Sequence, residues 1–178
     1  MKGKLWIIPV VFGLLLFAAI LAYNKPVVNV AQVTEAPKYH AMVCVWKNGE
    51  LVGCKHNVLF TSGKNLIKTI LGDTGSGGPV KVIALCNASA GCAEPTVSGS
   101  ETYNEFSSCG LAPAEGTYTS NGDGNWSIQK TFTATCDDLV TNVTRIGNGT
   151  TYFAGASFTS VTLQTNDQLT VTWTIWVS

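Results

Sequence analysis

The chain is short of charge. Only 12% of its 178 residues are charged, and eleven basic and eleven acidic side chains give a net charge of zero. Proteins that bind nucleic acid usually carry a basic patch, whereas the few lysines and arginines here are scattered. We therefore expect no nucleic acid partner. Solubility must come from hydroxyl and amide side chains, which is common in exported β proteins.

Histidine is also scarce, which restricts the catalytic and metal-binding chemistry. His40 and His56 are the only two imidazoles, and no Gly-x-Ser-x-Gly motif places a nucleophilic serine. No two cysteines have the C-x-x-C spacing of a zinc site. Asp137 and Asp138 are adjacent, so on a strand they would face opposite ways. We expect a protein that is not an enzyme and that holds no metal or other cofactor.

An uncharged apolar run covers residues 5–23 and follows Lys2 and Lys4. As a helix it would span about 28 Å, close to the thickness of a bilayer core. Ile20 stands where a cleavage site prefers a small residue, so a retained transmembrane anchor is favoured over a cleaved signal peptide. The basic residues would stay in the cytoplasm and place the rest of the chain on a cell or virion surface.

The remainder divides into a connecting segment and one domain. Residues 24–38 contain two prolines around the valine-rich stretch 27–33, which indicates an extended linker or an added strand. Residues 39–178 are enough for one extracytoplasmic domain with its own core.

Six cysteines in an exported chain predict three disulfides, although fifteen pairings are possible. A hairpin turn at residues 47–50 separates Cys44 from Cys54, and a three-residue loop would place these two opposite each other. A two-residue loop would place Gly53 opposite Cys44 instead. Two further cysteines flank a turn-rich stretch and would pair locally, which leaves the last two for a long-range disulfide. These four are Cys86 with Cys92 and Cys109 with Cys136.

Four Asn-x-Ser/Thr triplets are candidate glycosylation sites in an exported protein. At any single site, an unmodified polar turn is the alternative. The four asparagines are Asn87, Asn125, Asn142 and Asn148.

The hydrophobic pattern predicts mainly strands. Residues 168–177 are the clearest case, with apolar residues alternating with threonines. One short helix is predicted at residues 63–71, with Ser62 as its N-cap and Gly72 as its end. Its apolar face would carry Leu66, Ile67, Ile70 and Leu71. The other strand candidates are residues 42–46, 51–54, 80–86, 126–135, 139–145, 152–158 and 161–163. We therefore expect an antiparallel β-sandwich or jelly roll with one short helix, preceded by the membrane or signal helix.

Three segments give this order a resemblance to known proteins. They are Ile83-Ala84-Leu85, Tyr152-Phe153-Ala154-Gly155-Ala156-Ser157-Phe158 and the closing stretch 166–175. Over residues 57–178 the chain resembles small β-sandwich proteins of phage tails and of the surfaces of archaeal viruses and archaeal cells. The resemblance implies a structural or adhesive role and identifies no functional residues.

Two classes of function follow as expectations. The first is a structural surface protein, such as a filament or pilus subunit or a virion surface component, which self-associates or contacts other surface proteins. The second is a membrane-anchored adhesin or receptor-binding module, and an exported hydrolase is a distant third. A polymerising subunit would offer an open sheet edge or groove to its neighbour.

Overall fold

The computed structural model describes residues 38–72 and 78–178. The apolar run at residues 5–23 and the valine-rich segment lie outside the described residues. Within the described residues, no helix is both long and apolar enough to cross a membrane.

The described chain is mainly β and contains two five-stranded antiparallel sheets. The first sheet has the strand order β2-β1-β10-β7-β6 and the second β3-β9-β8-β4-β5. The strands of the first sheet are β1 (Tyr39–Lys47), β2 (Glu50–His56), β6 (Thr117–Gly122), β7 (Asn125–Thr133) and β10 (Gln168–Val177). Those of the second sheet are β3 (Val58–Leu59), β4 (Val82–Leu85), β5 (Ala114–Glu115), β8 (Leu139–Gly147) and β9 (Tyr152–Leu163).

Both sheets contribute to one hydrophobic core, an arrangement that fits a β-sandwich. Val43, Val171 and Trp173 of the first sheet belong to the same buried cluster as Ile146 and Val161 of the second. Strand β10 contributes to this core because every second side chain is apolar and faces inward, while the threonines between them face outward. Burial of these large side chains, each about 1.5–3 kcal/mol, is the main stabilising term.

One α-helix, α1, covers Thr61–Gly72, and a 3₁₀ turn covers Ala88–Ala90. The helix begins earlier than the sequence predicted, so Ser62 lies inside it. The proposed capping role of Ser62 is wrong, because its hydroxyl donates a hydrogen bond of 2.7 Å to the carbonyl of Tyr152 on β9. This bond ties the first turn of the helix to the second sheet.

The turn between β1 and β2 is the shorter of the two alternatives, yet Cys44 still lies opposite Cys54. Lys47 pairs with Glu50, so the loop has two residues, and Asn48 and Gly49 both have positive φ as a type I′ turn requires. A bulge lies between Val45 and Trp46 in this ladder. The bulge restores the pairing of Cys44 with Cys54, which the shorter loop alone would have displaced.

Three disulfides join the cysteines in the pairs that the sequence favoured. They are Cys44–Cys54, Cys86–Cys92 and Cys109–Cys136. Such bonds persist in oxidising compartments, so they indicate an extracytoplasmic environment.

Candidate functional site

Exposed apolar side chains concentrate in one region of the domain. Six large hydrophobic residues among those described are exposed, and four of the six line a single groove. These four are Ile70, Leu71, Tyr118 and Val177. Single exposed apolar residues are ordinary on protein surfaces, whereas a contiguous set marks an interaction site.

The groove lies between the first sheet and helix α1 and has a volume of about 620 Å³. Residues at one end of four neighbouring strands form the wall on the sheet side. Ile67, Ile70 and Leu71 form the wall on the helix side. The sheet residues are Tyr39, Tyr118, Trp126, Ile128, Ile175 and Val177. The apolar stripe of α1 is therefore only half covered: Leu66 is 7% exposed, whereas Leu71 is 81% exposed.

Two aromatic rings lie at the junction of the sheets inside this groove. Tyr39 packs edge-to-face on Phe153, with ring centroids 5.3 Å apart. The Tyr39 hydroxyl accepts a hydrogen bond of 3.0 Å from the side-chain amide of Asn57. Burial raises the pKa of Tyr39 and outweighs this bond, so the phenol stays neutral.

Charge is nearly absent from the lining. Lys81 is the one ionisable cation that lines the described groove, and its ammonium lies 2.6 Å from the carboxylate of Glu115. The pair is solvent-exposed and contributes little to stability. The groove can therefore hold an apolar segment or ligand.

The edge strand β6 forms one rim of the groove. It ends the first sheet, and all its side chains are exposed. Tyr118 pairs with Ile128, and Ser120 pairs with Trp126. Because paired residues point to the same face of a sheet, Tyr118 and Ser120 both face the groove.

The described chain begins and ends beside the same groove. The amide of Lys38 donates to the carbonyl of Ser178 at 2.7 Å, and the amide of Ser178 donates back at 3.1 Å. The adjoining residues Tyr39 and Val177 line the groove. Lys38, at the start of the described stretch 38–72, therefore lies at this end of the first sheet.

A second cluster surrounds Arg145, which is only 4% exposed on β8. Its guanidinium lies 4.2 Å from the ring centre of Tyr103 and 3.6 Å from the carboxylate of Glu101. It also donates to the carbonyls of Gly99 and Glu101. The cluster holds the loop before β5 against the outer face of the second sheet, which is a structural role.

The acid in this cluster is kept ionised by its neighbours. Burial by itself would raise the pKa of Glu101. The hydrogen bonds that the carboxylate accepts from Thr96 and Ser98 outweigh burial and lower the pKa to about 2. At neutral pH the buried guanidinium therefore faces a carboxylate of opposite charge.

The turn at the opposite end of the first sheet is also held by a carboxylate. Asp167 accepts hydrogen bonds from the amide of Gln164 and the side chain of Asn48, and it lies 2.9 Å from the ammonium of Lys47. These contacts lower its pKa to about 2. They join the turn between β1 and β2 to the turn before β10.

None of the ten site residues proposed from the sequence lines the apolar groove. The six cysteines are all in the disulfides of the domain. Asn87 caps the 3₁₀ turn by accepting from the amide of Ser89, and Asn125 begins β7. Asn148 lies in the turn after β8, where its side-chain oxygen accepts from the amide of Thr151.

Asn142 is the least suitable of the four glycosylation candidates. Its Oδ1 is buried within β8, and the hydroxyl of Thr144, which completes the triplet, is buried and donates to the carbonyl of Ala84. A glycan needs a solvent-accessible asparagine, so attachment here would have to precede folding of this strand.

Sequence reasoning missed the groove, although one signal was present. The four apolar residues of α1 were predicted to form one face, yet a face in a sequence does not reveal whether another element covers it. No family model, curated protein or solved structure matches this chain.

Proposed function

We propose that this protein is a non-enzymatic structural component of a cell or virion surface, whose domain associates through the apolar groove with further copies or with other surface proteins. The observation that carries the proposal is the gathering of Ile70, Leu71, Tyr118 and Val177 around one groove. On a chain with 12% charged residues, such a surface is most stable when a partner removes it from water.

The proposal includes the placement of the protein. The two sheets form a sandwich or jelly roll that follows an N-terminal transmembrane or signal helix, and the domain lies outside the membrane. The disulfides support the extracytoplasmic position. The apolar run at residues 5–23 supports the membrane attachment. The likeness to phage and archaeal surface proteins stays a prediction.

The test is assembly of the full-length chain with a charge placed in the groove. Leu71→Glu should abolish ordered assemblies in electron micrographs of native material, because a partner would have to bury the new carboxylate. Circular dichroism should show that the domain remains folded, since Leu71 is 81% exposed. Val97→Glu, which changes another exposed apolar residue away from the groove, should assemble as the wild type does.

Wild-type material that remains monomeric at the surface would contradict the structural role. It would favour the second candidate, a membrane-anchored adhesin or receptor-binding module. The volume of about 620 Å³ supports this candidate, because ligand pockets of proteins commonly hold roughly 300–1,000 Å³.

A further inference from the structure

We propose that the groove receives the valine-rich segment 27–33 of a second copy of this chain, which adds as a strand to the free edge of β6. The inference rests on the proposed function and names the partner that the groove would take. It joins three observations: an open sheet edge, an apolar groove beside that edge, and a β-prone segment elsewhere in the same chain.

The edge is the first observation. β6 pairs with β7 on one side, and among the described residues no strand pairs with its other side. Alternate residues of such an edge direct their amides and carbonyls outward, where another strand can pair with them. β6 has six residues, which is sufficient for a ladder with an added strand.

The direction of the side chains connects the edge to the groove. Tyr118 and Ser120 face the groove because their partners on β7 are the groove residues Ile128 and Trp126. Residues of an added strand that lie directly opposite Tyr118 and Ser120 would face the groove as well. The main chain would supply hydrogen bonds, and every second side chain would fill the apolar space.

The segment 27–33 has the composition that this place requires. It contains four valines in seven residues and no charge. Valine favours strands, and Val28 and Val30 are two positions apart, so both would lie on one face. Seven extended residues span about 23 Å, and the six residues of β6 span about 20 Å.

The short reach of the chain favours a segment from a second copy. An added strand beyond β6 would lie four strand spacings from β1, about 19 Å away. Val33 is five residues before Lys38, a distance of at most about 18 Å when fully extended. That chain would also have to turn sharply, whereas Pro37 disfavours a helical turn at Ala36.

A photo-crosslinking experiment on the full-length protein tests the proposal. Benzoylphenylalanine replaces Tyr118, and light and ¹⁵N-labelled copies are mixed in detergent before assembly. Irradiation should link position 118 to residues 27–33 in light–heavy pairs. The control carries the same group at Leu51, which is 59% exposed on the other edge of the first sheet, against 60% for Tyr118. This control should give no such link.

The outcomes separate the two proposals. If position 118 is linked to residues 27–33 only in products that carry a single isotope, the segment binds its own domain. Assembled material in which position 118 is linked to any other region would also overturn the inference, yet it would leave the structural role intact. A wild-type protein that does not assemble would overturn both.

Two double variants provide an independent test. Val28→Asp with Val30→Asp should lower the yield of the light–heavy link by about tenfold or more. Asn29→Asp with Ala31→Asp adds the same charge on the other face of the strand and keeps every valine, so it should retain most of the yield. Equal yields from the two double variants would contradict the assigned role of the valines.

Discussion

Arg145 is a buried charged residue that belongs neither to the apolar groove nor to the hydrophobic core cluster. The groups around it include the carboxylate of Glu101, two main-chain carbonyls and the ring of Tyr103. A buried charge is tolerated only when its surroundings replace water in this way. The loop that precedes β5 provides these groups, so the position of the loop and the burial of the charge depend on each other.

Arg145→Ala should therefore be strongly destabilising. We expect a loss of about 3–5 kcal/mol in the free energy of unfolding, because Glu101 would be left without its cation. Chemical denaturation with the disulfides intact measures this. Lys55→Ala, which removes an exposed cation of β2, should change the free energy by less than about 0.5 kcal/mol. Equal effects of the two substitutions would show that the cluster does not support the fold.

Asp167 should make stability depend on pH in the acid range. Its folded-state pKa of about 2 is lower than the ordinary value of about 4, so its stabilising effect is complete above pH 4. The effect is lost as the pH falls towards 2. The difference in melting temperature between the wild type and Asp167→Asn should shrink between pH 5 and pH 2.

Thermal unfolding followed by circular dichroism at several pH values provides this comparison. Asp123→Asn, in the turn between β6 and β7, touches none of the partners of Asp167 and serves as the control. A difference between the wild type and Asp167→Asn that stays constant from pH 5 to pH 2 would rule out this contribution.

At the scale of elements, helix α1 is positioned by a close approach to β9. A Cβ atom added to Gly63 would lie only 2.1 Å from the carbonyl oxygen of Phe153. Together with the bond from Ser62 to Tyr152, this approach fixes one end of the helix on the second sheet. At the other end of the helix, Ile70 and Leu71 are exposed and line the groove.

Gly63→Ala should destabilise the domain although alanine is the better helix former. The clash with the main chain of β9 should cost about 1–3 kcal/mol, more than the gain of roughly 1 kcal/mol in helix propensity. Gly72→Ala is the matched control, because an added Cβ there would meet no atom within 4 Å. Denaturant titration of both variants gives the comparison, and a stabilised Gly63→Ala would disprove the close packing.

On the scale of the whole molecule, two of the three disulfides join residues that are close together in the chain. Cys44–Cys54 closes a hairpin and Cys86–Cys92 a turn, and only Cys109–Cys136 spans 27 positions. A cross-link over a loop of that length stabilises by roughly 3.6 kcal/mol in the chain-entropy description.

Native protein should therefore contain no free thiol. Alkylation of the unfolded, unreduced chain should label none of the six cysteines, and labelling after reduction should reach all six. The reduced sample is the control for access of the reagent. Stoichiometric labelling of two or more cysteines before reduction would contradict an oxidising, extracytoplasmic location.

The local patterns of the sequence were sufficient for most of the secondary structure. Strand β10 has the bounds that its alternation predicted. Strand β9 was predicted as two pieces, because the consecutive polar residues Thr159 and Ser160 interrupt the alternation. Both are exposed in the structure. The ladder with β8 shows the cause: an irregularity places extra residues of β9 between its pairs with Thr141 and Val143.

The missed strands lack a local signal. β3 and β5 have two residues each, too few to show a period. β6 is exposed along its whole length, so it has no apolar face to produce an alternation. Its strand conformation depends on pairing with β7, which is an interaction between segments.

The sequence by itself determined the β-rich class and the two local cysteine pairs, because each of these depends on residues close together in the chain. The third pair, Cys109–Cys136, followed by elimination. Only the tertiary structure decided that α1 leaves half of its apolar face uncovered and that Tyr118 on an edge strand lies across from it. The groove is made by the ends of several elements that are distant in sequence. Its existence follows from how these elements pack together, which no period of residues in the chain encodes.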